Sequence, residues 1–159
     1  MTIHFYKADR PYGCFSNFSP HCVQLAGRSW QTAEHYYQAH KFFGSDRALF
    51  DRIHAAPTPE RAAAIGRANP DAVRADWAQA KIDVMYTVLR DKFQRHRDAR
   101  EVLLGTGDRP LIEDSPVDYF WGCGADGTGA NHLGLLLMQV REELRQTSPI
   151  RPLADRVSP

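Results

Sequence analysis

The residues with the clearest chemical potential lie in the run Thr32-Ala33-Glu34-His35-Tyr36-Tyr37-Gln38-Ala39-His40-Lys41-Phe42. At about 100° per helical residue, Glu34, Gln38 and Lys41 fall on one face. Glu34 and Lys41 stand two turns apart, roughly 10 Å along the axis, so their long side chains can reach a ligand lying between them. Glu34 also falls in a first helical turn, where the helix dipole favours a carboxylate. The alternative is a solvated face, because a first-turn Glu and a Glu/Lys spacing are both common on ordinary helices.

A second run, Val117-Asp118-Tyr119-Phe120-Trp121-Gly122-Cys123-Gly124-Ala125-Asp126-Gly127-Thr128-Gly129-Ala130-Asn131, places an acid ahead of a glycine loop. Gly122, Gly124 and Gly127 satisfy the spacing of a dinucleotide fingerprint, but that motif needs a βαβ unit and an acidic residue about 20 positions on. Only one helix and a Pro-containing tail follow here, so the Rossmann reading is rejected. Two readings stay open: a loop whose backbone N–H groups meet a phosphate, and a tight turn that needs positive φ.

Trp77, beside Asp76 and Lys81, opens a helix and can either stack on a base or join the core. Metal binding is not expected: His35 and His40 do not share a helical face, and no Cys/His cluster has zinc spacing. Cys14 and Cys123 lie in loops without a recognisable catalytic partner, and no local signature supports a Ser–His–Asp arrangement.

These groups must be positioned by a mainly α framework, α+β at most, with a small N-terminal β element. Ile3 to Tyr6 reads as a strand, and Val23 to Trp30 as a hairpin about Ala26-Gly27. Thr32 caps a helix over Ala33 to Phe43, and Ser45 or Asp46 caps another through Ile53. Thr58-Pro59-Glu60 is a strong helix start, interrupted by Gly66 and by Asn69-Pro70. Asp76 and Gln79 resemble a capping box, and Ile82, Met85, Leu89 and Phe93 form the inner stripe of the helix that follows. Arg97 to Leu104 is helical, Leu111-Ile112-Glu113 is a short strand, and Leu133 to Leu144 is the last helix.

The chain has 159 residues, 43% of them hydrophobic, which suits one compact domain over 1–147 and a flexible tail at 148–159. A formal net charge of +1 gives no broad electrostatic footprint for nucleic acid, which is disfavoured but not excluded. Three cysteines without CxxC spacing, and an N-terminus without an apolar signal region, point to the cytoplasm. No stretch approaches transmembrane length. Oligomeric state is not legible.

Taken in order, the runs resemble the NADAR family, also called YbiA-like. The resemblance extends from Phe5-Tyr6 to about Leu144. It is carried by Phe15-Ser16-Asn17-Phe18, by the run from Thr32 to Phe42, by Asp118 through Trp121-Gly122-Cys123-Gly124 to Asn131, and by Leu133-Gly134 with Leu137-Met138-Gln139-Val140-Arg141. It implies a single YbiA-like domain that hydrolyses the ribose–base N-glycosidic bond of phosphoribosylamino-pyrimidine intermediates of riboflavin biosynthesis. The alternatives are removal of ADP-ribose from guanine bases and, in a different class, a non-catalytic module binding ADP-ribose or NAD. Glu34, Trp77 and Asp118 match positions that the family uses at its active site. Lys41 matches a lysine proposed as catalytic in members acting on ADP-ribosylated guanine.

The expected catalytic set is therefore Glu34, Asp118 and Lys41. The expected substrate-binding set is Phe15, Ser16, Asn17, Gln38, Trp77, Trp121, Gly122, Gly124 and Asn131, with no cofactor or metal. Gln31, Tyr37, Cys123 and Ala130 depart from the residues usual in the family. The implied chemistry passes through an oxocarbenium-like ribosyl cation, which a carboxylate stabilises or a carboxylate-activated water attacks. Lys41 could instead attack the anomeric carbon and form a Schiff base.

Overall fold

Side-chain caps start the first three helices. Thr32 Oγ1 accepts from the His35 amide at the head of α1 (Ala33–His40). Asp46 accepts from Leu49 N at the head of α2 (Arg47–His54), and Thr58 from Arg61 N at the head of α3 (Pro59–Ala68), where Pro59 takes the first-turn position that lacks an amide partner anyway. Three further helices follow: α4 (Trp77–Arg95), α5 (Arg97–Gly105) and α6 (His132–Thr147). This computed structural model describes residues 1–147; the expected tail lies outside the described residues. Among those residues, no helix is long and apolar enough to cross a membrane.

The β content is small and split. Strands β2 (Val23–Leu25) and β3 (Arg28–Trp30) form the expected antiparallel hairpin, turning through Ala26 and Gly27 at positive φ. Strand β1 (Ile3–Phe5) pairs in parallel with β4 (Leu111–Glu113), Ile3 opposite Leu111 and Phe5 opposite Glu113. That pairing joins the N-terminal strand to a segment more than 100 residues on and sets the direction from which Glu113 leaves the sheet.

Helix α1 is the centre of the molecule. It packs on α2, α3 and α4, and all eight of its residues are buried. It ends at His40, earlier than the Phe43 its composition suggests, because the chain tightens into turns over 41–45. Gly66 lies within α3 and does not interrupt it. A side chain there would collide with the Gln38 amide, so glycine lets α3 approach α1. The Asp76–Gln79 capping box does not form: Asp76 turns its carboxylate to Arg74 at 2.6 and 2.7 Å. Met85, Leu89 and Phe93 are buried as their spacing requires, whereas Ile82 stays exposed near the open end of α4.

Candidate active site

One wall of a cavity of about 770 Å³ is the face of α1 that carries Glu34, Tyr37, Gln38 and Lys41. Opposite it stand Ser16 and Asn17, the end of β4 at Glu113, and the loop bearing Asp118 and Trp121. The periodicity of α1 and the tertiary fold thus bring Glu34 and Asp118 to one space from distant parts of the chain.

Each acid is held differently. Gln38 Nε2 donates to Glu34 Oε1 at 2.7 Å, within α1. Burial pushes the Glu34 carboxyl up; the Gln38 hydrogen bond and the Lys41 charge oppose that shift. Asp118 Oδ1 accepts from the amides of Phe120 at 2.9 Å and Trp121 at 2.7 Å, which aims the carboxylate from a turn. Lys41 is the last residue of the α1 face, and its Nζ lies 5.7 Å from the Tyr37 ring centroid. Burial pulls its ammonium pKa down, while Glu34 acts in the opposite direction.

Ser16 and Asn17 reach the cavity because their loop is fixed from behind. Asn17 O accepts from the Glu34 amide at 3.1 Å, and Ser16 O accepts from Lys92 Nζ at 2.9 Å. Lys92 is fully buried, and burial brings its pKa down to about 7. Trp121 donates through Nε1 to the Tyr37 hydroxyl at 3.0 Å, with the two rings edge to face at 5.5 Å. This contact ties the Asp118 loop to α1.

Five expected binding residues stand elsewhere. Phe15 is fully buried between Phe5, Tyr12 and Phe93 and serves the core. Trp77 lies behind Tyr37, at 5.2 Å between centroids, rather than in the cavity wall. Gly122 packs on Ser115 and the Glu113 carbonyl, where no Cβ fits. Gly124, at φ 71°, covers the Tyr119 ring. Asn131 clasps β4: its Oδ1 accepts from Glu113 N and its Nδ2 donates to Leu111 O, both at 2.9 Å.

Most amides of the glycine loop have partners within the loop and its flanks. Those of Cys123, Gly124, Gly129, Ala130 and Asn131 donate to carbonyls of Glu113, Asp118, Cys123, Tyr119 and Gly122. These amides are committed to the loop and its flanks rather than free for a phosphate, and Gly124 and Gly127 supply the positive φ of tight turns. The cations that do line the cavity are Lys7, Lys41 and Arg67.

Sequence reasoning missed Glu113, Tyr37 and Arg67 as cavity residues. Periodicity gives a signal for Tyr37, one residue before Gln38 and four before Lys41 on the helix, but no spacing rule announces a glutamate ending a three-residue strand. His21, His96 and Asp98 form a cluster with metal-ligand atom types within 4.8 Å of one another, outside this cavity. Existing hydrogen bonds occupy it: His21 Nε2 pairs with Asp98 Oδ2 at 2.9 Å, and His96 Nε2 with Cys22 O at 2.5 Å.

The NADAR domain family model matches residues 4–145. A protein of Nostoc punctiforme named N-glycosidase is 57% identical over 146 residues, covering 91% of this chain and 94% of its own. The Zea mays chloroplastic riboflavin biosynthesis protein PYRR is 46% identical over 160 residues, which is 92% of this chain but only 26% of that longer protein. The solution structure of Escherichia coli YbiA superposes with a TM-score of 0.83 at 39% identity, covering 91% of this chain and 85% of the other.

Proposed function

The chain belongs to the NADAR family, and from that premise we propose that it is an N-glycosidase acting on phosphoribosylamino-pyrimidine intermediates of riboflavin biosynthesis. The observation that carries the reading is the convergence of Glu34 and Asp118 on one cavity, which Lys41 also lines. Relatives named N-glycosidase and riboflavin biosynthesis protein support the reaction and the substrate class.

The chemistry follows from the residue types. As the C–N bond breaks, its electron pair leaves with the nitrogen and the ribose acquires positive charge. Carboxylates held in a partly dry cavity stabilise that charge more strongly than water does. The departing nitrogen takes up a proton, and a water molecule adds to the anomeric carbon and gives a proton to Glu34 or Asp118, so that ribose 5-phosphate and a neutral aminopyrimidine are released. Lys7 and Arg67, at the cavity rim, are the groups we assign to the phosphate. The cavity wall mixes these cations with Asp9, Glu34, Glu60, Glu113 and Asp118, which suits one compact anion better than a polyanionic strand. ADP-ribosylated guanine is therefore the less favoured substrate. A non-catalytic binding module would have no use for a buried Glu34 and a half-buried Asp118 around the same space. We place the activity in a reducing compartment, the cytoplasm, because Cys14, Cys22 and Cys123 are all free thiols.

A second route rests on Lys41. Its partial burial enriches the neutral amine, which can attack the anomeric carbon and form a Schiff base with the opened ribose.

Incubation with the phosphoribosylamino-uracil, its pyrimidinone precursor and an ADP-ribosylated guanine oligonucleotide tests the assignment, with free ribose 5-phosphate or ADP-ribose as the readout. Release from the pyrimidines is the expected result. Release from the oligonucleotide alone would replace the substrate, and no release from any would remove the enzyme assignment.

A further inference from the structure

We propose that Glu113 is a further catalytic residue of this cavity, the general acid that protonates the departing nitrogen of the base. The proposal rests on the N-glycosidase reading above and adds to it a third acid with its own task.

The geometry begins with the backbone. Glu113 ends β4, and both of its main-chain groups are committed: its amide donates to Asn131 Oδ1 at 2.9 Å, and its carbonyl accepts from Cys123 N at 2.9 Å. The parallel pairing with Phe5 adds a third restraint. The side chain is thereby delivered to the cavity wall from a fixed strand end. Its Oε2 is buried and has no hydrogen-bond partner. Such an acceptor at a cavity wall is left for a ligand or water to meet, or for the carboxyl's own proton to occupy.

The electrostatic surroundings decide which of those it is before the substrate binds. Burial first, then the charges of Asp118 and Glu34, push the Glu113 carboxyl up to about 7. Cys123, on the same loop, also senses Glu113. Lys7 and Asp9 after β1, Lys41 on α1, and Glu60 and Arg67 on α3 are the other charged groups facing this space. None of them forms an ion pair with Glu113. At neutral pH a large share of Glu113 therefore carries its proton, in the same cavity as Glu34 and Asp118. Acid–base cleavage of a glycoside needs a protonated carboxyl group at the leaving group and a second acid to act on the water.

The step balances. The Glu113 proton passes to the base nitrogen as that nitrogen takes the C–N electron pair, so the base departs as a neutral amine. Water supplies the hydroxyl at the anomeric carbon and its proton goes to the partner carboxylate. Exchange with solvent restores the starting protonation.

The test compares wild type with Glu113→Gln on two substrates. One is the phosphoribosylamino-uracil, whose amine must be protonated to leave. The other is p-nitrophenyl riboside 5-phosphate, whose phenolate leaves without a proton. On the amine substrate, Glu113→Gln is expected to lose about 10²–10⁴-fold in kcat. The wild-type fall in kcat/KM above about pH 7 should also vanish, matching the free-enzyme carboxyl. On the phenolate substrate the loss should stay under about tenfold. Circular dichroism and a melting curve establish that the variant folds. Should it not fold, the wild-type profiles decide: an alkaline limb with the amine and none with the phenolate supports the acid role. The same limb on both substrates overturns it. Should the phenolate analogue not be cleaved, loss or retention of the limb in Glu113→Gln decides alone. An active wild type whose variant keeps the limb, or loses equally on both substrates, overturns the role of Glu113 only. A wild type inert toward both overturns the glycosidase reading and the acid role with it.

Discussion

Gln38 donates a 2.7 Å hydrogen bond to Glu34 from one turn further along α1, and both side chains are buried at the cavity wall. The bond fixes one carboxylate oxygen and leaves the other to a ligand. It also opposes the burial that pushes the Glu34 carboxyl up. Gln38 therefore acts as the positioning partner of an acid that would otherwise favour its proton.

The two carboxylate variants Glu34→Gln and Asp118→Asn should fold, bind substrate and lose about 10²–10⁴-fold in kcat, the loss typical of a removed acid–base group. Steady-state kinetics on the phosphoribosylamino-uracil, with a thermal melt as control, provide the check. Full activity in both would remove the mechanism.

Lys41→Ala separates the two routes. If water attacks, the variant should raise KM with kcat largely retained, because only binding charge is lost. If Lys41 attacks, turnover should be abolished, and borohydride should trap a ribosyl adduct on the wild type that mass spectrometry locates at Lys41.

For Arg67→Ala, the effect should depend on the phosphate. We expect KM for the phosphorylated substrate to rise about tenfold, the worth of one exposed charge-assisted contact, and KM for the dephosphorylated riboside to stay nearly level. A rise of equal size for both would remove the phosphate assignment.

Gly124→Ala should destabilise the domain by about 1–2 kcal/mol, because its left-handed backbone disfavours a side chain. The Tyr119 ring lies where the methyl group would go, which adds to that cost. Urea unfolding measures the effect. An unchanged midpoint would show that the loop has another conformation open to it.

Two buried groups shape stability against pH. Glu113 is pushed up to about 7 from 4.5, so between those values the folded chain keeps a proton that the unfolded chain has lost, and stability falls as pH rises. Lys92 is brought down to about 7 from 10.5, so above about 7 the unfolded chain keeps a proton that the folded chain has lost, and stability rises with pH. Together they create a trough near neutrality. Urea midpoints between pH 5 and about pH 10 should show the acid-side slope reduced in Glu113→Gln and the alkaline-side slope reduced in Lys92→Met. Slopes unchanged by either variant would contradict these assignments.

The sequence by itself determined the local elements and the face of α1. Caps at Thr32, Asp46 and Thr58 act over three residues, and helical period alone puts Glu34, Gln38 and Lys41 together, so neither needs distant parts of the chain. The ordered runs from Phe15 to Arg141 carried the family in the same way. Tertiary structure decided what periodicity does not encode. The pairing of β1 with β4 brings Glu113 to the cavity, an arrangement that no short-range signal specifies. Most amides of the glycine loop donate to carbonyls of the loop and its flanks, a commitment that its composition does not reveal. Phe15 and Trp77 have types that suit a binding pocket, yet Phe15 is fully buried in the core and Trp77 packs partly buried against Tyr37. The physical reason is common to these cases: burial and carboxyl coupling depend on which surfaces meet through space, whereas capping and helical period depend on neighbours along the chain.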